Sequence, residues 1–495
     1  MKTLFFSLLA LLVAASVITW KLQPGQSSPH PVLHWMTASN PERVKQVALF
    51  HAWLERNGYP KFELKIDTSN NRLEKIVIQG VSGVAGDIIE VQSGGPMRYL
   101  QSIGLLEDIT GPAREMGFAP SATYDSIRSE ITLDGRQYMF PCSISTELVL
   151  VNLDTFARAG IEPPPRSWDW ATFEETGRRF VKAANPPGRR PTRFFINAVN
   201  TAQMQRSLGL DVFNETLSAC ILDDARNVRV LEKIRQWRDV DHILPTAEDI
   251  ASFSTESGYG GAAFQLFNSG NYAMVTTGRW ALIQMREFGK LNLAVSNPPH
   301  AGYPNTLVTT RAAAIYAGSK HADLARYFLK FLASEDYGMH IVESADALPS
   351  EPLLSRTDAY LKPPAHPNEW RVHEAFADAA VSTAIGYSYS PFVVPSIVTR
   401  LLTNIESGFA AGIWSAEEAA RLAVRQINGE IRRTLQEQPE LREDHDRRAE
   451  LQKKIDDLRA AGKPVPLSWI DNPFYRKYYQ DNRLADDSTA GTATR

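Results

Sequence analysis

The chain has little cysteine and no excess of positive charge. Its 495 residues include two cysteines, Cys142 and Cys220, too few for a disulfide scaffold or a four-thiolate zinc site. Two states of this pair stay open, two buried thiols or one disulfide. The 53 basic residues face 56 acidic ones, which argues against a nucleic-acid-binding surface. With 43% apolar residues, the chain nevertheless has enough apolar material for folded interiors.

The common catalytic signatures are also missing. The sequence contains no G-x-x-x-x-G-K-[ST], no H-E-x-x-H and no G-x-S-x-G, and its ten histidines are scattered. Glycosidase carboxylates are defined by spacing in the folded chain, so this one class stays open. We therefore predict no catalytic residue, no cofactor and no metal.

One long apolar run lies near the start of the chain. Residues 4–20 are apolar except for two serines and a threonine, and Lys2 precedes them. This pattern is typical of a secretory signal peptide within residues 1–26, with small residues placed for cleavage after Ala15. An uncleaved membrane anchor is the alternative. Either one predicts an exported protein, in the periplasm or on the extracytoplasmic face of the membrane.

Short β-forming runs alternate with amphipathic helices after residue 31. Strands are predicted at 32–36, 62–66, 87–91 and 147–151, and a helix begins near Pro41. Such alternation predicts βαβ units, an α/β fold and a parallel sheet.

Later segments carry clear helix signals. Ala325, Phe328, Leu329 and Leu332 fall on one helical face, and Ser415 with Glu418 forms a capping box. A further helix is predicted to begin near Ser167 as its N-cap. Residues 436–495 are predicted to form a helical extension, with a solvated helix at 443–461 and a disordered end.

Several motifs occur in the same order as in a known family. Residues 86–110 contain GDIIEV followed by GLLEDIT, and residues 138–173 contain YMFP and VLVNLDTFARAGIEPPPRSWDW. Residues 267–280 read FNSGNYAMVTTGRW, and a strand and the helix SKHADLARYFLKFLASEDYG occupy 312–338. Together they resemble the extracellular solute-binding proteins of sugar ABC importers, of the maltodextrin-binding type.

That resemblance implies a fold and a function. The fold is the two-lobe periplasmic-binding-protein fold, with a ligand cleft between lobes and several hinge crossings. Residues 32–142 plus 297–343 would form lobe 1, and residues 143–296 plus 344–435 lobe 2. The chain would be a monomeric, non-catalytic receptor that captures a mono- or oligosaccharide by lobe closure and delivers it to ABC permease subunits.

The resemblance also implies where ligand contacts lie. Trp280 matches a position where the family often stacks a sugar ring, although core packing is its alternative role. The complete set of candidate ligand-binding residues is Ser39, Asn40, Gln92, Ser93, Ser145, Thr146, Glu147, Tyr259, Arg279, Trp280, Arg311 and Phe392. For Ser39 and Asn40 helix capping is an equal alternative, and for Phe392 core packing is the stronger one, with Tyr387 and Tyr389 as weaker stacking candidates.

Departures from the family pattern leave the ligand open. Val151, Trp170 and Arg279 replace the usual aromatic, glutamate and proline. The same fold binding an acidic solute, a polyamine or a metal is therefore an alternative, as is a membrane-tethered sensor whose C-terminal helix docks a partner.

Overall fold

The computed structural model describes residues 29–40, 42–92, 94–253 and 261–486. The apolar run at 4–20 and the chain after residue 486 lie outside this range, and so do the predicted site residues Ser93 and Tyr259. No helix in the described ranges is long and apolar enough to cross a membrane.

The strands follow the predicted order closely. In chain order they are β1 (Val32–Met36), β2 (Glu63–Asp67), β3 (Ile88–Gln92), β4 (Thr132–Leu133), β5 (Arg136–Gln137), β6 (Met139–Thr146), β7 (Leu148–Asn152), β8 (Phe194–Ile196), β9 (Tyr272–Thr277), β10 (Leu293–Ser296), β11 (Thr306–Ile315), β12 (Ala384–Ile385), β13 (Val465–Pro466) and β14 (Ala485–Asp486).

Helices separate most of these strands. They are α1 (Glu42–Arg56), α2 (Leu73–Val81), α3 (Gly94–Ser102), α4 (Thr110–Met116), α5 (Arg128–Ile131), α6 (Leu153–Ala159), α7 (Trp170–Ala184), α8 (Thr201–Ser207), α9 (Ala225–Arg235), α10 (Ala247–Ser252), α11 (Ala262–Ser269), α12 (Leu282–Met285), α13 (Ala322–Leu332), α14 (Glu335–Ser344), α15 (Asp358–Leu361), α16 (His373–Ser382), α17 (Pro395–Ala410), α18 (Ala416–Glu437), α19 (Arg442–Ala460) and α20 (Pro473–Asp481).

Two main sheets organise the α/β fold. The first has the order β12-β11-β3-β1-β2, with β6 paired to β11, and the second has the order β10-β7-β9-β8. Both are mixed, which corrects the prediction of a parallel sheet: β1, β2 and β3 run parallel, whereas β11 pairs antiparallel with β3 and β6. In the first sheet this is because the chain leaves that sheet through β6 and comes back to it through β11. The two strands therefore run in opposite directions.

The connection from the first sheet to the second is a single residue long. Strand β6 stays paired with β11 as far as Thr146, and β7 begins at Leu148 in the second sheet. Only Glu147 lies between them. The chain returns between β10, which ends at Ser296, and β11, which begins at Thr306.

Each sheet has an aromatic core of its own. In the first, Trp35 and Phe50 pack on Phe328 of α13 with ring centroids 4.8 and 5.4 Å away. In the second, Phe173 of α7 lies 4.6 Å from the ring of Trp237. The predicted face of α13 is confirmed, because all four of its residues are buried.

Helix starts show where local signals are sufficient. Ser415 accepts a hydrogen bond from the amide of Glu418 and the Glu418 carboxylate accepts one from the amide of Ser415, as the predicted capping box requires. The prediction for α7 is wrong by two residues, because its N-cap is Asp169, whose carboxylate accepts from the Thr172 amide. Aspartate and serine are equally good N-caps, so the local sequence does not decide between them.

Candidate functional site

Two adjoining cavities lie where elements of the two sheets meet. The smaller has a volume of about 270 Å³ and the larger about 820 Å³, and both are bordered by Gln92 and Thr309. The smaller is lined by Gln92, Ser143, Ser145, Trp280, Thr309, Arg311, Asp346 and Ala347. Most of these residues come from β3, β6 and β11 of the first sheet, whereas Trp280 follows β9 of the second. Gln92, Ser145, Trp280 and Arg311 of the predicted set therefore meet in one place.

The Trp280 ring lies at the edge of the smaller cavity, next to the point where the backbone of Gly278 closely approaches the side chain of Ser145. Gly278 directly follows β9, and a β-carbon at this position would collide with the Ser145 hydroxyl. The half-buried Trp280 packs on Phe264 of α11, with ring centroids 5.4 Å apart and planes tilted by 41°. One part of the ring is thus fixed by the core, and the ring also borders the cavity.

A buried carboxylate orients Arg311 at the cavity wall. The Nε of Arg311 donates to Oε1 of Glu90 at 2.6 Å, Nη2 of Arg43 donates to the same oxygen at 3.1 Å, and the Thr37 hydroxyl donates to Oε2 at 2.9 Å. Burial acts to raise the pKa of Glu90, but Arg43 and Arg311 outweigh it and lower that pKa. Glu90 is therefore ionised and fixes the Arg311 guanidinium in one orientation.

Asp346 brings an acceptor to the same cavity. Its Oδ2 accepts from Nδ2 of Asn40 at 3.3 Å and lies 3.9 Å from Nη1 of Arg43. Two arginines and two carboxylates thus form one connected group, whose formal charges cancel. A site of this kind offers fixed donors and acceptors without an excess of either charge, which suits a neutral polar ligand.

Aromatic rings line the larger cavity. Tyr99 of α3 and Tyr387 and Tyr389 of the segment after β12 border it, and we call these three residues the tyrosine wall. The rings of Tyr387 and Tyr389 lie 6.3 Å apart, and burial raises the pKa of Tyr387 to about 12. Arg206, Asp211, Arg400 and Glu406 add ionisable groups to the lining of the same cavity.

Glu147, the residue between the sheets, supports the larger cavity from behind. Its Oε1 accepts from Nδ2 of Asn200 at 2.8 Å, and Asn200, which borders the cavity, is also the N-cap of α8. Burial raises the pKa of Glu147. Glu147 thus holds a cavity residue rather than bordering either cavity itself.

Arg279 is not where the sequence analysis predicts it. It is 1% exposed and donates to the carbonyl oxygens of Ile341, Val342 and Ala347 and to Nδ1 of His373 at 2.8 to 3.2 Å. Although it precedes Trp280 in the same turn, its side chain points into the protein. The predicted ligand contact of Arg279 is therefore wrong.

Three further predicted contacts are corrected by burial or position. Thr146 is 1% exposed and donates to the Phe376 carbonyl oxygen. Phe392 is fully buried among apolar residues of α17 and α18, so its core alternative holds. Ser39 is exposed and borders neither cavity, whereas Asn40 caps α1 through the Glu42 amide and contacts the site only through Asp346.

Distant segments bring further residues to the site. Asp346 is not among the predicted contacts, although it follows the segment near residue 343 where the family resemblance places a lobe crossing. Tyr387 and Tyr389 are predicted only as weaker stacking candidates. Their spacing of two residues in YSYS was a signal that both rings can share a surface.

The part of the chain that the structure describes contains no cluster of three histidine, cysteine or carboxylate side chains suited to a metal ion. Cys142 and Cys220 are free thiols buried in different apolar clusters, which decides between the two states left open by the sequence.

Comparison with known families agrees with the fold. The sequence profile described as "Bacterial extracellular solute-binding protein" matches residues 45–339, more than half of the chain. A binding protein of Brucella abortus (strain 2308) is 21% identical over 240 residues, 48% of this chain. The match spans 56% of that protein's length.

Solved structures share the fold over most of this chain. An ABC substrate-binding protein of Listeria monocytogenes in complex with cycloalternan has a TM-score of 0.69 at 18% identity, covering 81% of this chain and 98% of that one. The sugar-binding protein MalE of Xanthomonas citri has a TM-score of 0.67 at 15% identity, covering 82% and 99%. A maltose/maltodextrin-binding domain of Bdellovibrio bacteriovorus bound to maltotriose has a TM-score of 0.61 at 17% identity, covering 81% and 99%.

Proposed function

The chain belongs to the bacterial extracellular solute-binding proteins, and from this premise we propose that it is the substrate-binding component of an ABC importer for a neutral oligosaccharide. Membership agrees with the prediction of a non-catalytic binding function. The ligand would lie in the two adjoining cavities, and the closed form would be recognised by the permease subunits.

The observation that carries this proposal is the lining of the smaller cavity. Trp280 supplies an aromatic ring, and Arg311 and Asp346 supply a fixed donor group and a fixed acceptor. A sugar ring has apolar C–H faces that pack on an aromatic plane and hydroxyls that need both donors and acceptors. The cancelled charges favour a neutral sugar over an acidic solute or a polyamine.

The larger cavity supports a ligand of several units. It adjoins the smaller one at Gln92 and Thr309, has three times its volume, and presents the tyrosine wall. Further sugar rings of a linear chain would pack on these tyrosines. Solved relatives of the fold were determined with maltotriose and with cycloalternan, which agrees with such a ligand.

Lobe closure is the proposed mechanism of capture. Residues 32–142 plus 297–343 would form one lobe and residues 143–296 plus 344–435 the other, with rotation at the connections between the sheets. A ligand shifts this equilibrium only by its difference in affinity for the two forms, and moving it from 1:99 to 99:1 takes about 5.5 kcal/mol. We place the protein on the extracytoplasmic face, exported by residues 1–26 as a signal peptide or held there by them as an anchor.

A thermal-shift screen of the chain from Ser27 onward tests the proposal. The panel contains tagatose, maltose, maltotriose, maltotetraose, galacturonic acid, spermidine and ferric citrate. A ligand at 100 times its Kd adds about 2.7 kcal/mol to the free energy of unfolding, which a shift in Tm reports. We expect shifts from the neutral oligosaccharides that disappear in Trp280→Ala.

Trp370→Ala is the matched control, because Trp370 is 46% exposed and borders neither cavity. It should retain the shifts. A shift from galacturonic acid, spermidine or ferric citrate alone would keep the family and overturn the sugar, and a sugar shift that survives Trp280→Ala would overturn the site.

A further inference from the structure

The C-terminal extension, defined here as residues 442–486, packs on its own chain. Phe474, Tyr475 and Tyr479 of α20 are at most 4% exposed and share a cluster with Ile455 of α19 and Tyr303. The predicted solvated helix is confirmed as α19, and its buried positions face this chain. Only the apolar side of α19 is thus covered by this chain, and most of its charged residues are exposed.

Asn472 of the extension makes five hydrogen bonds through its side chain. Asn472 is fully buried, and its Nδ2 donates to Oδ2 of Asp211 at 3.0 Å and to the carbonyl oxygens of Phe213 and Asn214 at 3.0 and 3.3 Å. Its Oδ1 accepts from the Ser388 hydroxyl at 2.8 Å and from the Phe474 amide at 2.9 Å. The last bond caps α20, and the other four lead away from the extension.

Three of those four bonds lead to the larger cavity. Asp211, Phe213 and Ser388 all border it, and the Ser388 hydroxyl lies within hydrogen-bond distance of both the Asp211 carboxylate and Asn472. Asp211 in turn accepts from Nε of Arg206, another cavity residue, at 3.1 Å. Asn472 therefore joins two cavity segments that are far apart in sequence.

The extension has a separate anchor that does not involve the cavity. The buried carboxylate of Glu215 accepts from the Tyr479 hydroxyl at 2.7 Å, from Gln452 at 2.8 Å and from Arg459 at 3.0 Å. None of these four residues borders either cavity. The Glu215 anchor can thus be altered without touching the cavity wall, which the extension contacts through Asn472 and through Tyr475, whose hydroxyl accepts from the Asp211 amide at 3.3 Å.

We propose that Asn472 is a positioning residue for the ligand site, through which the C-terminal extension fixes Asp211 and Ser388 in the wall of the larger cavity. The inference rests on the proposed function, because it gives the extension a part in binding the outer units of an oligosaccharide. A ligand confined to the smaller cavity does not depend on this wall.

Asn472→Ser and Asn472→Asp test the proposal in the full chain. Both side chains still cap α20, but serine is shorter and has one hydroxyl donor in place of the two amide donors, whereas aspartate has no donor and adds a repelling charge. Tyr479→Phe is the matched control, since it removes one hydrogen bond of the Glu215 anchor. Hydrogen exchange is followed by mass spectrometry in peptides covering 206–214 and 385–392, without ligand.

We expect exchange in these peptides to become about tenfold faster in both Asn472 variants, because bonds to a charged group contribute more than neutral ones. Tyr479→Phe should leave them unchanged. Equal rates in Asn472→Ser, Asn472→Asp and Tyr479→Phe would overturn the positioning role, whether or not any sugar binds.

Calorimetric titration separates this inference from the proposed function. For Asn472→Ser we expect the Kd of maltotetraose to rise about tenfold, because its outer units depend on the wall of the larger cavity. The Kd of tagatose should change less than twofold. A mere loss of folded protein would instead alter both Kd values equally. Equal changes for the two sugars would overturn the inference. Absence of binding by the wild type to any sugar in the panel would overturn the proposed function alone, and the exchange experiment would still decide on Asn472.

Discussion

Replacing Arg279 by methionine removes a connection between the turn that carries Trp280 and the segment 341–347. Arg279 donates to three carbonyl oxygens of that segment and to Nδ1 of His373, and its guanidinium carbon lies 4.3 Å from the centre of the Tyr360 ring. Methionine replaces the aliphatic stem of arginine as far as Nε, but it lacks the guanidinium group and donates nothing.

The cost follows from the groups left without partners. Each buried carbonyl oxygen that loses its donor costs about 1 to 3 kcal/mol of stability. Burial of a charge is itself unfavourable, so removal of the cation offsets part of this loss. We expect the free energy of unfolding to fall by about 3 to 5 kcal/mol. In a protein of this size that lowers Tm by about 3 to 5 °C.

The pH dependence gives a second signature. Burial, and after it Arg279, lowers the pKa of His373 to about 2. The folded protein therefore leaves His373 neutral, whereas the unfolded chain binds a proton below about pH 6.5, so stability falls as the pH falls through that value. Without Arg279 the folded-state pKa rises, but burial, the larger cause, still keeps His373 neutral in the folded variant down to pH 5, so both proteins should lose the same stability and the difference between them should stay constant from pH 7.5 to pH 5.

Guanidinium unfolding at both pH values measures these effects, with the exposed Arg371→Met as the control for loss of one positive charge. A decrease of less than 1 kcal/mol at pH 7.5 in Arg279→Met would refute the reasoning. It would mean that water satisfies the three carbonyl oxygens and that the turn is fixed by other contacts.

Three further predictions concern packing, titration and thiols. In Gly95→Ala the new β-carbon comes within 2.8 Å of a ring in the tyrosine wall, so we expect weaker oligosaccharide binding by calorimetry, whereas Gly111→Ala meets nothing within 4 Å and should bind normally. Burial raises the pKa of Glu130, so the wild type loses stability as the pH rises through that pKa; Glu130→Gln should therefore gain in Tm relative to wild type between pH 4 and pH 7.5, and a constant difference would contradict this. Cys142 and Cys220 are buried free thiols with raised pKa values, so neither should react with Ellman's reagent until guanidinium unfolds the protein, and a fast native reaction would show that burial is incomplete.

Local sequence patterns predict helices and strands because the apolar residues on the buried face of each element recur with the period of that element. Strand β1 was predicted with its observed ends, and the face of α13 is buried because its apolar residues recur at helical spacing. Alternation along a strand also distinguishes neighbouring residues. Ser145 and Thr146 are neighbours on β6, so only one of them can face the cavity, and it is Ser145.

The rest of the site depends on contacts between distant segments. Whether Arg279 or Trp280 faces the cavity is decided by the carbonyl oxygens of residues 341–347, more than 60 positions away. Asp346 reaches the smaller cavity through the packing of α14 on α1, and the tyrosine wall depends on how α17 meets α3. No periodicity within one segment reports such packing, so the sequence predicted the region of the site better than its members.

The single residue between β6 and β7 restricts how this gene can change in length. Thr146 is the last residue paired in the first sheet and Leu148 the first in the second, so an insertion or deletion at Glu147 would shift β7 by one position against β9 and β10. Every side chain of β7 would then move to the opposite face of the sheet, and because both faces are buried, Leu148 and Leu150 would leave their apolar cluster for that of Val149 and Val151. We therefore expect natural length variants of this chain to add or lose residues at surface turns such as 185–193, and the junction at Glu147 to keep its length.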